Sequence, residues 1–188
     1  MLRRSHPSAG RRGVTEEGEP QVTAALPRVP ESVSDARRLV RHTLADWRLS
    51  VLADVAELVV SELSSNAVEH ARLDTFRVTV QRGTGDRVRV AVTDKSTVLP
   101  VVRPLDDKAE GGRGLALVDA VSCKWGTDRL GWGKRVWADL EPPAPDDLTS
   151  PGSIPTYPTV RAYALYGLML IVVALGGLIA LAVAFDTR

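Results

Sequence analysis

The chain has 188 residues, enough for one domain of ordinary size with segments to spare. Lys and Arg number 24 against 23 Asp and Glu, a net charge of +1, so composition gives no ground for direct nucleic-acid binding. The one cysteine, Cys123, excludes an intramolecular disulfide framework and fits a reducing compartment. Beside an apolar run it reads as a small core residue rather than a nucleophile, and no Cys/His cluster has zinc-ligand spacing.

Residues 1–21 are rich in Arg, Gly, Ser, Pro and Glu, lack an apolar period and read as a disordered tail. They contain no apolar stretch of the signal-peptide kind. Residues 22–26 can form a short strand, closed by Pro27 and Pro30. Ser32 or Ser34 is a candidate N-cap for a helix to about Trp47, with Val33, Ala36, Leu39, Val40, Thr43 and Leu44 inward.

A second helix is expected over residues 52–71. Val55, Leu58, Val59, Leu63 and Val68 recur at three- and four-residue spacing and give it an apolar face. Glu62, Asn66 and His70 follow one another at four-residue steps. Each step turns the helix by roughly 40°, so a carboxylate, a carboxamide and an imidazole share one side. Such a set can hold a metal ion and position a water or hydroxyl; a solvated polar face is the plainer alternative.

Two strands come next. Phe76, Val78 and Val80 alternate with Arg77, Thr79 and Gln81; Val88, Val90 and Val92 alternate with Arg87, Arg89 and Ala91. Gly83-Thr84-Gly85-Asp86 between them is hairpin chemistry. The second strand runs into Asp94. From Lys95 to Glu110 the pattern stops, and Pro100 and Pro104 oppose regular pairing; a loop this long is often functional, for example as a lid. Gly111-Gly112-Arg113-Gly114 then opens a helix carrying Leu115, Leu117 and Val118. A glycine-rich turn before a helix exposes backbone N–H groups and the positive end of the dipole to an anion such as phosphate. By itself the turn is equally an ordinary flexible loop. Residues 122–125 and 134–140 read as two more strands, joined through Gly126, Gly131 and Gly133, and the domain is expected to end near Glu141.

Residues 142–160 hold Pro142, Pro143, Pro145, Pro151, Pro155 and Pro158 and read as an extended linker. Residues 162–185 contain no charge and no proline. As a helix they would be roughly 36 Å long, enough to cross a hydrocarbon core of about 30 Å. Tyr163 and Tyr166 fit an interfacial belt, and Arg161 flanks the segment. The expectation is a single transmembrane helix over residues 161–185, acting as a tail anchor with the domain on the cytoplasmic side. Gly176, Ala180 and Ala184 at four-residue spacing permit close helix pairing, hence a homodimer.

In combination, these stretches resemble the GHKL ATPase superfamily, which has the Bergerat ATP-binding fold. More narrowly, they look like its anti-sigma-factor serine-kinase branch from actinobacteria. The resemblance is carried by Leu26-Pro27 with Ala36-Arg37-Arg38-Leu39-Val40-Arg41, by Glu62-Leu63-Ser64-Ser65-Asn66-Ala67-Val68-Glu69-His70-Ala71, by Val92-Thr93-Asp94-Lys95-Ser96 with Pro100, by Gly112-Arg113-Gly114-Leu115-Ala116-Leu117-Val118, and by Trp125-Gly126 with Gly133-Lys134-Arg135-Val136-Trp137. It covers residues 22–141.

The resemblance implies an α+β fold, a two-layer α/β sandwich of the histidine-kinase-like ATPase type, and the cofactors ATP and Mg²⁺. Asn66 would hold Mg²⁺ through its amide oxygen; this ion keeps most of its waters, so one protein ligand is chemically sufficient. Glu62 would act as general base. Asp94 would accept a hydrogen bond from the adenine amino group. Gly112 and Gly114 would offer N–H groups to the phosphates, with Arg113 adding charge. His70, Ser96 and Leu115 belong to the matching motifs as binding-site positions, and Ser96 stands where the broad superfamily has glycine. The implied function is an ATP-dependent serine/threonine protein kinase phosphorylating an anti-anti-sigma (STAS-type) partner, with a sigma factor as a further partner, controlling transcription by partner switching. The alternative is a non-catalytic or degenerate ATP-responsive scaffold that tethers a regulator to the membrane. A sensor-kinase remnant ranks last, since no helix with a phosphoacceptor histidine precedes the domain.

Overall fold

The computed structural model describes residues 10–71, 73–100 and 113–142. Its elements run β1 (Arg11–Val14), β2 (Pro20–Pro27), α1 (Ser32–Asp46), α2 (Ala53–His70), β3 (Thr75–Arg82), β4 (Val88–Asp94), α3 (Arg113–Val121), β5 (Lys124–Leu130) and β6 (Gly133–Leu140), with 3-10 turns at Ser50–Leu52 and Thr84–Asp86. The strands form one sheet in the order β1-β2-β3-β4-β6-β5, every pair antiparallel. The expected α+β two-layer sandwich is what forms, with the helices on one face of the sheet.

Alternation explains why the helices pack on one face. Phe76, Val78 and Val80 on β3 and Val88, Val90 and Val92 on β4 are buried, each at 2% exposure or less. The residues between them point to the other face, as in an antiparallel sheet packed on one side. The 3-10 turn joining these strands needs Gly85 and Asp86 at φ of 65° and 60°, which glycine and aspartate tolerate well. On the covered face α2 lies against β3, β4 and β6, with α1 and α3 on either side.

Several expectations change in the fold. Residues 11–21 are not a disordered tail, because β1 pairs with β2 from Arg11↔Thr23 to Val14↔Pro20. All four β1 side chains are exposed, so backbone hydrogen bonds hold the strand and no side-chain period marks it. Neither serine caps α1: Glu31 occupies the N-cap without a side-chain hydrogen bond, and Ser32 is buried as the first helical residue. The apolar face of α2 is rotated from the expected one. Ala53, Ala56, Val59, Val60, Leu63, Ser64 and Ala67 are buried, whereas Val55, Leu58 and Val68 are only half-buried. Gly126 is no connector but a residue within β5, where a Cβ would come to 2.8 Å from Cζ2 of Trp137. Cys123 is exposed, not in the core; partial burial of the thiol and neighbouring Glu141 push its pKa up.

Gly111, Gly112, most of the expected lid, the proline-rich linker and the expected membrane segment lie outside the described residues. Among the described residues no helix is long and apolar enough to cross a membrane.

Candidate functional site

Rotation of α2 decides where its polar residues sit. With Leu63 and Ala67 buried, Glu62 and Asn66 flank the buried stripe at half-burial. Burial raises the pKa of the Glu62 carboxyl above the ordinary carboxylate value. Such a carboxylate holds a proton more readily than one in water, the property wanted in a general base near neutral pH.

Gly114 lies directly on Glu62. A Cβ built on Gly114 would overlap Oε2 of Glu62 and come within 3.3 Å of Cδ and 3.5 Å of Cβ. The first turn of α3 therefore packs directly against the carboxylate end of Glu62. This contact joins the two sequence motifs: the glycine turn meets the α2 carboxylate directly, with Asn66 one helical turn further along. Leu115, the next residue, is 5% exposed and anchors α3 to the core. Arg113 begins the helix.

Asp94 ends β4 and is 4% exposed. In the alternation it shares the phase of Val88, Val90 and Val92, so it faces the helical layer. Its Oδ1 accepts the backbone N–H of Ser96 at 2.6 Å. Ser96 is itself 1% exposed, and its Oγ accepts the N–H of Val98 at 3.2 Å. Serine thus closes two successive local turns where the superfamily has glycine. Among the described residues the non-glycine positive φ values are at Arg48 and Asp86, so the backbone at Ser96 makes no demand for glycine.

Asp94 has a partner that motif reading missed. Lys134 is its register partner across the β4–β6 ladder. Nζ lies 3.4 Å from Oδ2, and the side chains are 7% exposed for the lysine and 3% for the aspartate. A signal was present in the sequence: Lys134 stands in the same strand phase as Val136, Ala138 and Leu140, a lysine where the buried residues fall. His70 is placed differently from the rest. It is the last residue of α2, with its side chain 59% exposed and Glu69 at 3.8 Å. The structure does not bring it into the half-buried site.

The opposite face of the sheet carries none of these residues. A groove of about 620 Å³ runs across it, lined among others by Arg77, Arg89, Arg135 and Trp132. Two of the guanidiniums are paired. Arg89 makes a bidentate contact to Asp139 at 2.6 and 2.7 Å, and Arg135 bonds Asp128 at 2.8 Å. Arg89 also stacks on Trp137 at 4.0 Å.

The fit to nucleotide and metal rests on these contacts. Gly114 has no side chain and packs against the Glu62 carboxylate at the start of α3, where a helix N-terminus suits a phosphate. Asn66 supplies one hard oxygen, a donor suited to Mg²⁺ brought in with phosphates. Among the described residues no group of three or more His, Cys, Asp or Glu is gathered for a metal.

A helix-covered antiparallel sheet, with Glu and Asn on its central helix and a buried Asp at a strand end facing the same layer, defines an ATPase domain of the GHKL superfamily. Residues 26–138 match the family model for the histidine kinase-like ATPase domain, and the chain belongs to that family. Among solved structures it is similar to the histidine kinase domain from the Erythrobacter litoralis EL346 blue-light activated histidine kinase. The two share 18% sequence identity at a TM-score of 0.40, over 71% of this chain and 66% of that one. The chain thus spans just under two-thirds of the length of that structure. No curated protein matches the chain.

Proposed function

We propose that this ATP-binding domain is a serine/threonine protein kinase of the anti-sigma-factor type, acting on an anti-anti-sigma (STAS-type) partner. The observation that carries the reading is the contact of Glu62 with Gly114: a carboxyl of raised pKa set against the backbone that opens α3. Glu62 accepts the proton of the attacking serine hydroxyl, contributing about 10²–10⁴-fold in rate. Asn66 would hold Mg²⁺, which would supply positive charge against the phosphates. Asp94 accepts from the adenine amino group, and Gly114 with Gly112 and Arg113 meets the phosphates. Residues 161–185 anchor the protein in the membrane with this domain in the cytoplasm, and a sigma factor is a second partner in the switch.

The test is transfer of labelled phosphate from MgATP to a cognate STAS protein, with Glu62→Ala as control. Transfer lost in the variant, with ATP binding kept, supports the kinase. A wild-type protein that binds ATP and labels no STAS partner refutes it. A second reading is a non-catalytic or degenerate ATP-responsive scaffold, favoured by Ser96 standing beside Asp94 where the superfamily has glycine. A scaffold is indifferent to Glu62→Ala in its regulatory output; a kinase is not. Membrane anchoring is checked by fractionation of the full chain against a chain ending at residue 160, which should leave the membrane pellet.

A further inference from the structure

Asp94 and Lys134 close the β4–β6 ladder as its last paired positions on the helix-facing side. Gly133, just before the lysine, is pressed on the end of β4: a Cβ there would overlap the carbonyl oxygen of Asp94 and lie 2.9 Å from Cα of Lys95. The backbone is thereby fixed on both sides of the pair. The two charged groups nevertheless do not saturate one another. Their separation of 3.4 Å exceeds the roughly 2.7–2.9 Å of a charge-assisted hydrogen bond. An ammonium has three donors and a carboxylate about four acceptor sites. Oδ1 is committed to the Ser96 N–H at 2.6 Å, which fixes the carboxylate plane. The pair sets an acceptor and a donor side by side at the end of the ladder, with side chains at most 7% exposed.

That pattern has a complement. The Watson–Crick edge of adenine offers an amino donor next to the N1 acceptor. Guanine in the same pose reverses both, setting O6 against the carboxylate and N1–H against the ammonium. We propose that Lys134 is a base-reading residue, donating to N1 of adenine while Asp94 accepts from the amino group, and that the pair selects adenine over guanine. The inference rests on the nucleotide-binding reading above and adds a residue to it. In a dry site a mismatched donor or acceptor is costly, because nothing replaces the lost partner.

The experiment is calorimetric titration of the full-length chain with the magnesium complexes of ATP, GTP and 1-deaza-ATP, in which a C–H replaces N1. The wild type should bind ATP at least about tenfold tighter than 1-deaza-ATP, as loss of a hydrogen bond to a charged group predicts, and GTP more weakly still. Lys134→Met should erase the difference between ATP and 1-deaza-ATP, a coupling that a purely structural ion pair would leave untouched. Should that variant not fold, Asp94→Asn with Lys134→Met removes both charges together and should show the same loss. Equal wild-type affinity for ATP and 1-deaza-ATP, or discrimination that survives the loss of Lys134, overturns the inference and leaves nucleotide binding intact. A wild-type chain that binds no ATP overturns the nucleotide reading itself, and the role of Lys134 with it.

Discussion

Breaking the Asp94–Lys134 pair from one side should cost more stability than removing it whole. At 3.4 Å and an effective dielectric of about 20, the attraction is about 5 kcal/mol. Desolvating two charges offsets most of it, so the pair as a whole contributes little. Removing one partner strands the other. Lys134→Met leaves a carboxylate whose side chain is 3% exposed, at a cost of about 3–5 kcal/mol. Asp94→Asn keeps an acceptor for the Ser96 N–H yet strands the ammonium. The double variant should lie within about 1–2 kcal/mol of wild type, giving a coupling energy of several kcal/mol. Against a typical total of about 5–15 kcal/mol, each single loss is large, equivalent to a fall in Tm on the order of 10 °C or more. Urea unfolding followed by tryptophan fluorescence reads all four proteins, with the m-value checked for constancy. Trp137 on β6 provides a nearby reporter. Single variants costing below about 1 kcal/mol, or a double variant equal to their sum, would refute the argument that the pair is buried and coupled.

Glu62→Gln separates stability from chemistry. Because burial raises the folded-state pKa of Glu62, the protonated form is favoured in the fold, and that contribution is complete below the unfolded pKa and lost as pH rises through the folded one. At neutral pH the ionised group is therefore a net cost. The variant should melt higher than wild type at pH 7, and the gap should close on acidification below about pH 4; phosphoryl transfer should fall about 10²–10⁴-fold with ATP affinity kept. A pH-independent gap in scanning calorimetry would sink the assignment. Gly114→Ala and Gly133→Ala should diverge. The first meets only the mobile end of Glu62 and should fold normally while losing transfer; the second meets the backbone of Asp94 and Lys95 and should lose about 3 kcal/mol or more in denaturant titration. Gly126→Ala, which crowds the Trp137 indole, should cost about 1–3 kcal/mol in the same measurement.

Side chains that report their own burial made the central fold readable. Phe76, Val78 and Val80 alternate because β3 has one covered face, and Val88, Val90 and Val92 do the same on β4. β1 left no trace, since Arg11-Arg12-Gly13-Val14 are all exposed and their pairing with β2 is backbone alone. The α2 face was displaced because Ala56 and Ala67 weigh little in a hydrophobic pattern yet are buried. At the candidate site, Glu62, Asn66 and Asp94 were singled out by motif. The contact of Gly114 with Glu62 joins residues far apart in the chain and required the fold. The Asp94–Ser96 turn was within reach of local reasoning, since an Asp accepting from the N–H two residues on is a common turn. Lys134 needed both its strand phase and the β4–β6 register; the first was visible in sequence, the second was not.

Two carboxylates of one layer are thereby given different work by their neighbours. Asp94 is almost wholly enclosed, with an amide and an ammonium arranged around its oxygens. These surroundings fix its direction and suit it to reading a ligand's edge. Glu62 is only half enclosed, and among the described residues no cation pairs with it. Burial without compensation raises its affinity for a proton, and the missing side chain at Gly114 leaves its oxygens open to the backbone that starts α3. On the proposed reading, the fixed, compensated carboxylate is suited to recognition and the uncompensated one beside a glycine to proton transfer. Exchanging the surroundings would exchange the capacities: a cation placed beside Glu62 would lower its pKa and weaken it as a base, while removing Lys134 would leave Asp94 able to accept a hydrogen bond but without the donor that, on the reading proposed above, meets N1 of adenine.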